Sequence, residues 1–309
     1  MGIYLKHRVA AVVVMFNPDQ EVLYRVDELA LQVDLVYLID NSIKYTKWSL
    51  NNKNIIIIYN HNRGGLAGAL NIALLRSKKE QFDYLFVFDQ DTVIDQFFCN
   101  NMINAVRLLN NTTYGIYGPR HININTNHPV RISAHSGFLQ SVWPSGHEEP
   151  IECNFLINSC SLLRLDIIPD GLCYDEFLEV DMIDVDFGFK ARSIGIKSIC
   201  FPNIHVMHGI GNRSIGSMRF SPTNYLAKRK YLQTRNRLIV WYKYYSMLPN
   251  YVFIDINLFF IDCFRILLFE ESKKNKIHEI IKGLFDGFKI VVMRKNNKVD
   301  KNILFSNDK

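Results

Sequence analysis

The sequence predicts an α/β fold with a mostly parallel sheet, followed by a helical extension. Two features of the first half predict the sheet: apolar runs alternate with segments of helical spacing, and each run ends in polar residues. The extension is predicted because residues from Ser221 onward have the spacing of consecutive helices. We therefore expect a sheet domain over 1–220 and a helical segment over 221–309.

Four apolar runs predict the parallel strands, and they cover residues 9–14, 35–39, 54–59 and 84–88. The first run stops at Asn17-Pro18, the second at Asp40 and the fourth at Asp89. The third leads through Asn60-His61-Asn62-Arg63-Gly64-Gly65 into a segment of helical spacing. Ligands of such sheets bind at the carboxyl ends of the strands, so we expect a site at this edge.

The fourth run ends in Asp89-Gln90-Asp91-Thr92, which places two carboxylates one residue apart. Such a pair suits a divalent cation, and a cation there suits a diphosphate. The alternative is the cap of a helix that starts near Asp95, and for an isolated pair this alternative is the more common one.

Two other strand ends carry weaker signals. Gly64-Gly65 could let backbone N–H groups approach a phosphate, although the spacings of dinucleotide-binding and P-loop motifs are missing and a simple turn is the commoner explanation. Asp40 could accept hydrogen bonds from a pyrimidine or ribose, or form a turn with Asn41 and Ser42.

Downstream, an acidic cluster contains Asp181, Asp184 and Asp186. Crowded like charges raise at least one pKa, so the cluster could supply a general base, although an ordinary acidic helix start is an equal alternative. His205 and His208 follow a short strand, and an imidazole could complete a manganese site with carboxylates.

The predicted helices after residue 221 are basic. Residues 225–309 carry 17 Lys and Arg against 8 Asp and Glu, within a chain of net charge +6. Arg229 and Arg235 could grip a diphosphate, or lie on a solvated face. The segment 251–269 is interrupted by Asp255 and Asp262, so we do not expect it to span a bilayer. The segment 277–292 predicts a basic amphipathic helix for a membrane interface or a partner subunit, unless it packs on the sheet domain.

Composition excludes several classes of protein. The six cysteines show no C-x-x-C spacing, so neither a zinc site nor a disulfide framework is expected. No recognised nucleic-acid module is present, and the basic helices are rich in large aliphatic residues. No signal peptide is apparent, so we expect a cytoplasmic location.

Taken together, the motifs resemble those of the inverting glycosyltransferases of family 2, and within them the rhamnosyltransferase-like enzymes of bacterial surface polysaccharide assembly. The similarity runs from about Val9 to Leu238. It is carried by residues 13–18, by Ile39-Asp40-Asn41-Ser42, by the Asn62–Asn71 helix start and by the D-Q-D-T sequence. Further on it is carried by residues 157–164, 181–187, 207–211 and 229–236. Departures from the family pattern are Cys160, Asp186, Phe187, Lys190 and Leu232.

The resemblance implies a nucleotide-binding, Rossmann-like fold of the glycosyltransferase A type and a role for each matched residue. Asp184 is the expected catalytic base, and Asp91 and His208, with Asp89, are the expected ligands of Mn²⁺ or Mg²⁺. The residues expected to bind the nucleotide-sugar are Phe16, Asn17, Asp40, Asn62, Arg63, Gly65, Asp89, Gln90, Arg229 and Arg235. Those expected on the acceptor side are Asn158, Ser159, Asp181 and Asp186.

The implied reaction moves L-rhamnose from dTDP-L-rhamnose to a hydroxyl of a lipid-linked saccharide, with inner-leaflet membrane contact or a homo-oligomer formed through the C-terminal helices. A UDP-hexose or UDP-galactofuranose donor is the nearest alternative. A nucleotidyltransferase and a non-catalytic sugar-binding module are more distant alternatives.

Overall fold

The structure, a computed structural model, describes residues 7–50, 52–109, 111–125, 127–134, 148–209 and 225–296. Within these ranges a nine-stranded sheet is flanked by seven α-helices. The strands are β1 (Val9–Met15), β2 (Leu35–Asp40), β3 (Ile55–Tyr59), β4 (Tyr84–Asp89), β5 (Tyr114–Asn123), β6 (His128–Pro129), β7 (Ile151–Cys153), β8 (Ser161–Arg164) and β9 (Lys197–His208). The helices are α1 (Glu21–Ala30), α2 (Gly65–Lys79), α3 (Phe98–Leu109), α4 (Ile183–Ser193), α5 (Ala227–Tyr244), α6 (Pro249–Phe269) and α7 (Lys273–Asn296).

The four predicted parallel strands are confirmed. The strand order is β3-β2-β1-β4-β8-β5-β9-β7, with β6 paired to β5, and β1 to β4 are mutually parallel. The short β8 runs antiparallel to both β4 and β5, so the sheet is mixed beyond β4. Consequently the carboxyl ends of β1, β2 and β4 lie side by side.

Helices cover both faces of the sheet. Apolar side chains of α1 and α3 pack on one face, and those of α2, α4 and α5 on the other. The α5 residues Ile239, Val240 and Tyr244 belong to the same apolar core as the strands, so this helix is integral to the sheet's core. The predicted domain boundary after residue 220 lies outside the described residues. Among those described, no helix is both long and apolar enough to cross a bilayer.

Two elements differ from the sequence prediction. Strand β9 extends to His208, so His205 and His208 lie on the strand instead of after it. Helix α4 begins at Ile183, so only part of the acidic cluster forms the helix start, because Glu179 and Met182 both adopt positive φ angles that a helix cannot contain. Asp184 and Asp186 therefore lie in the first turn of α4, and Asp181 lies before it.

Candidate active site

The ends of β2 and β4 bring Asp40 and Asp89 to one edge of the sheet. In the strand register, Met15 of β1 pairs with Asp40 and Val14 pairs with Asp89. The carboxylates thus flank the end of β1, from which Phe16 and Asn17 continue. This is the edge at which the sequence predicts a nucleotide-sugar, although the contacts made by each residue differ.

Asp40 is buried and already hydrogen-bonded. One of its carboxylate oxygens accepts from the Trp48 indole N–H at 2.8 Å, and the other accepts from the Ser42 backbone N–H at 2.9 Å. A carboxylate has lone pairs for further donors, so Asp40 retains acceptor capacity toward a base or ribose. Trp48 orients the Asp40 carboxylate, and no sequence pattern indicates this role.

Gln90 holds the loop that follows β1. Its side-chain oxygen accepts from the Phe16 backbone N–H at 2.7 Å, while the Phe16 ring is about half exposed. Asn17 has a positive φ of 46°, and its N–H donates to Ser42 Oγ at 2.8 Å. Gln90 therefore positions the loop in which Phe16 and Asn17 lie.

The loop before α2 is stabilised by asparagine side chains. Asn41 Nδ2 donates to Asn62 Oδ1 at 3.1 Å, and Asn60 Nδ2 donates to the Arg63 carbonyl at 2.8 Å. The Arg63 side chain is exposed at this edge.

Gly65 has a packing role. A Cβ at this position would lie 2.7 Å from the Glu179 carbonyl oxygen, and the same oxygen accepts from the Ala67 N–H at 3.0 Å. A Cβ on Gly64 would lie 2.6 Å from Glu176 Oε2. The start of α2 is thus covered by the acidic turn 176–179, which disfavours an anion there. Close packing, and not the predicted approach of a phosphate, accounts for the glycine pair.

The D-Q-D-T segment lies beside the end of β9. Val93 forms an antiparallel bridge with Met207, next to His208. Burial raises the pKa of Asp89, the proximity of His208 lowers it, and the Asp91 carboxylate raises it. These three side chains therefore interact electrostatically.

The three predicted metal ligands have the right chemistry for a divalent cation, but they do not lie close enough together to enclose one. Two carboxylates and an imidazole suit Mn²⁺ or Mg²⁺, and a cation would offset the repulsion between Asp89 and Asp91. Within the described ranges, however, no three His, Cys, Asp or Glu side chains lie close enough together to hold an ion. The residues therefore fit a cation held by one or two side chains and completed by diphosphate oxygens, the usual arrangement for Mg²⁺.

A chain of buried polar side chains runs from the D-Q-D-T segment to His208. Thr92, which follows Asp91, has its hydroxyl 2.7 Å from Ser159 Oγ. His121 Nε2 donates to the Ser159 carbonyl at 2.9 Å, and the His121 ring meets the His208 ring edge to face at 5.4 Å. Burial and the proximity of His208 lower the His121 pKa to about 4, so this ring is neutral near pH 7. The sequence analysis missed His121 and Thr92, and it placed Ser159 on the acceptor side instead of in this chain.

Asp184, in the first turn of α4, lies close enough to Asp89 of the D-Q-D-T segment for the two carboxylates to repel each other. Its Oδ1 accepts from the Val185 N–H at 2.9 Å. Burial raises the Asp184 pKa to about 6; backbone hydrogen bonds oppose this rise, and the charges of Asp181 and Asp89 add to it. A carboxylate tuned close to neutral pH has the properties of a general base.

Asp181 lies beside Asp184 and carries an available acceptor. Its Oδ1 accepts from Arg229 and Gln233, each at 3.3 Å. Its Oδ2 is buried without a hydrogen-bond partner among the described residues. An orphan carboxylate oxygen is costly unless a ligand donates to it. Asn158 Oδ1, also predicted on the acceptor side, accepts from the Tyr174 hydroxyl at 3.2 Å.

Asp186 points away from the site. It is fully buried, and its carboxylate contacts Lys243 at 2.5 Å, Tyr244 OH at 2.8 Å and Lys190 at 2.9 Å. Burial by itself would raise the Asp186 pKa, but Lys243 and Lys190 bring it below its usual value. Its position therefore does not match the predicted acceptor side, since it joins α4 to α5.

The two α5 arginines predicted to bind the nucleotide-sugar also differ. Arg229 is exposed, pairs with Asp181 at 3.3 Å and lies close enough to lower the Asp89 pKa. Arg235 is buried, and its guanidinium donates to the Phe177 carbonyl at 2.9 Å and to Glu179 at 3.3 Å. Only Arg229 is placed to meet a diphosphate, whereas Arg235 anchors the acidic turn that covers α2.

Comparisons with known proteins identify the family. A family model described as "Glycosyl transferase family 2" matches residues 10–169. Over 242 residues the chain is 24% identical to the dTDP-rhamnosyl transferase RfbF of Shigella flexneri, covering 76% of this chain and 80% of that protein.

Two solved structures share the fold. GalNAc-T7 with UDP, GalNAc and Mn²⁺ superposes with a TM-score of 0.53 at 17% identity, over 78% of this chain and 49% of its own length. The mannosyltransferase PcManGT of Pyrobaculum calidifontis, in complex with GDP-Man and Mn²⁺, gives 0.50 at 11% identity, over 96% and 80%. At these identities the likeness concerns the fold alone, and it confirms the predicted glycosyltransferase A-type fold.

Proposed function

The chain belongs to glycosyl transferase family 2, and we propose that within this family it transfers L-rhamnose from dTDP-L-rhamnose to an acceptor hydroxyl. The dTDP-rhamnosyl transferase of Shigella flexneri is the relative that supports this donor. The Asp89-Gln90-Asp91-Thr92 sequence, which resembles the rhamnosyl branch, also supports it. The proposed acceptor is a lipid-linked saccharide of surface polysaccharide assembly, met at the cytoplasmic face of the membrane.

The observation that carries the proposal is the position of Asp184, beside the D-Q-D-T segment and with a pKa raised to about 6. Asp184 removes the proton of the acceptor hydroxyl as the hydroxyl oxygen attacks the anomeric carbon. The bond between that carbon and the diphosphate oxygen breaks, and its electron pair leaves with the nucleoside diphosphate. One displacement inverts the anomeric configuration, so no nucleophilic side chain is required.

Three residues would stabilise the leaving diphosphate: Asp91 and His208 through a cation, and Arg229 directly. Asp91 and His208 would hold the divalent cation, with Asp89 beside them, and the bound cation offsets negative charge on the diphosphate. The Arg229 guanidinium can pair with phosphate oxygens in bidentate fashion. Asp181 Oδ2, which has no hydrogen-bond partner among the described residues, accepts a hydrogen bond from the acceptor sugar.

A donor panel tests the proposal. The full chain is incubated with Mn²⁺, a rhamnose-terminated acceptor series and dTDP-L-rhamnose, UDP-glucose, UDP-galactose or UDP-galactofuranose, and release of nucleoside diphosphate is measured. We expect acceptor-dependent release from dTDP-L-rhamnose at least tenfold above the others. Preference for a UDP-sugar would replace the donor but keep the reaction. Release of pyrophosphate from a nucleoside triphosphate and a sugar phosphate, without any transfer, would favour a nucleotidyltransferase.

A further inference from the structure

The outward side of α6 is apolar and exposed to solvent. Six large apolar side chains on it have exposed fractions between 45% and 65%. Their separations of three, four and seven residues place them on one side of the helix. We call this surface the α6 outer face, formed by Phe253, Phe260, Ile261, Phe264, Leu267 and Leu268. Contiguous apolar surfaces of this kind are rare on monomeric proteins unless something covers them.

The charged residues of α6 lie on its inward side. Asp255 accepts from the Trp241 indole N–H at 2.8 Å, and Asp262 accepts from Lys230 at 2.8 Å. A helix that packs on a domain in water normally has apolar residues inward and charges outward. The inward side of α6 also contains the buried apolar residues Val252, Phe259 and Ile266, so the helix is apolar on both sides. The hydrogen bond from Trp241 and the ion pair with Lys230 hold α6 on α5 and leave the α6 outer face toward solvent.

Helix α7 carries further exposed apolar residues and adds positive charge. Its exposed residues include Ile281, Phe285 and Phe288, and Phe288 lines an apolar cavity of about 270 Å³ together with Val252 of α6. Lys276 and Glu270, both buried, pair at 2.8 Å and fix the turn between the two helices. The two helices therefore form one firmly held hairpin.

The charge of this surface distinguishes between two possible partners, a second copy of the chain and a lipid bilayer. Among residues 249–293, the exposed charged side chains are four lysines and one glutamate: Lys273, Lys274, Lys282, Lys289 and Glu271. A second copy docked through this surface would bring the same net positive charge to the interface, which is unfavourable. An anionic lipid surface offers hydrocarbon to the phenylalanines and negative charge to the lysines.

We propose that the hairpin of α6 and α7 docks on the surface of an anionic phospholipid bilayer, with the α6 outer face among the acyl chains. The docked helices lie along the interface and do not cross it. This surface is separate from the active-site residues, and docking requires neither donor nor cation.

Vesicle flotation with the full chain tests the proposal. We expect the protein to float with phosphatidylcholine vesicles that contain about a third phosphatidylglycerol, to bind weakly to pure phosphatidylcholine, and to dissociate as salt is raised. Because donor and cation are omitted, failure here and failure of the proposed sugar transfer are distinguishable.

Paired substitutions locate the surface. Phe260→Glu with Phe264→Glu should reduce vesicle partitioning at least tenfold, whereas Leu108→Glu, at an exposed apolar residue of α3, should leave it unchanged. Lys274→Gln with Lys289→Gln should weaken binding about fivefold per lysine, whereas Lys53→Gln with Lys79→Gln should have little effect. Transfer to a water-soluble acceptor should be retained in every variant, which shows that each one is folded.

Two outcomes would overturn the proposal. One is an absence of flotation with anionic vesicles at low salt, or flotation that the paired glutamates leave unchanged. The other is a dimer in light scattering that Phe260→Glu with Phe264→Glu dissociates, because a second copy would then cover this surface.

Discussion

Two carboxylates in the first turn of α4 lie two residues apart and have opposite surroundings. Asp184 faces the strand ends, with burial and like charges raising its pKa to about 6. Asp186 faces α5, where Lys190 and Lys243 bring its pKa below the usual value. Successive residues of an α-helix are rotated by about 100°, so side chains two residues apart point to nearly opposite sides of the helix. One acidic motif therefore contains both a group suited to chemistry and a group that holds the fold together.

The largest effect on folding is expected at Asp186. Asp186→Asn removes the carboxylate charge that pairs with Lys190 and leaves Lys243 with Asp175 as its remaining carboxylate partner, so the free energy of unfolding should fall by about 3 kcal/mol. Because the folded pKa of Asp186 is lowered, its contribution is present at neutral pH and is lost as pH falls through that pKa. Urea denaturation at pH 7 measures the change.

The matched control for Asp186 is Asp170→Asn, at an exposed carboxylate that pairs with a lysine, Lys78. An exposed ion pair contributes little, so this variant should unfold close to the wild-type midpoint. Equal effects of the two substitutions would mean that the Asp186 network does not stabilise the fold.

The pH dependence of transfer tests whether Asp184 is the catalytic base. Because the base must be ionised and its pKa is about 6, kcat/KM should fall about tenfold per pH unit below pH 6 and level off above it. Steady-state rates at saturating cation measure this profile. A profile that stays flat down to pH 5 would be incompatible with Asp184 as the base.

A smaller effect is expected at the polar chain beside the metal-ligand candidates. Ser159→Ala removes the hydroxyl that meets Thr92 but keeps the carbonyl that accepts from His121. We expect Mn²⁺ affinity, measured by titration calorimetry with dTDP present, to fall about fivefold, the equivalent of one hydrogen bond. Ser193→Ala, at an exposed serine that donates to the Lys190 carbonyl, is the control and should not change it.

The strand-end residues were predictable because each parallel strand is a short run of β-branched and aromatic residues that stops at a polar side chain. The position of Asp184 was predictable from the motif it shares with the family. Asp186 was not, since its partner Lys243 lies 57 residues further along the chain. Contacts of that range leave no local periodicity.

Two further differences have similar causes. A glycine pair before a helix looks the same in sequence whether a phosphate or a neighbouring backbone packs against it. At Gly64 and Gly65 the packing comes from residues 176–179, which are far away in the sequence. The link between Thr92, Ser159 and His121 joins three separate elements, so only the fold brings it together. The exposed apolar side of α6 could be anticipated only in part, because sequence spacing does not tell which side faces α5.

The most direct test of the central claim is transfer by Asp184→Asn, measured together with donor binding and thermal stability. Asparagine keeps an oxygen for the Val185 N–H but cannot take a proton. We predict that transfer falls at least about a thousandfold, that dTDP-L-rhamnose binding changes less than about threefold, and that the melting temperature does not fall, since a carboxylate with a raised pKa is removed. An Asp184→Asn enzyme that transfers sugar at the wild-type rate would contradict the account.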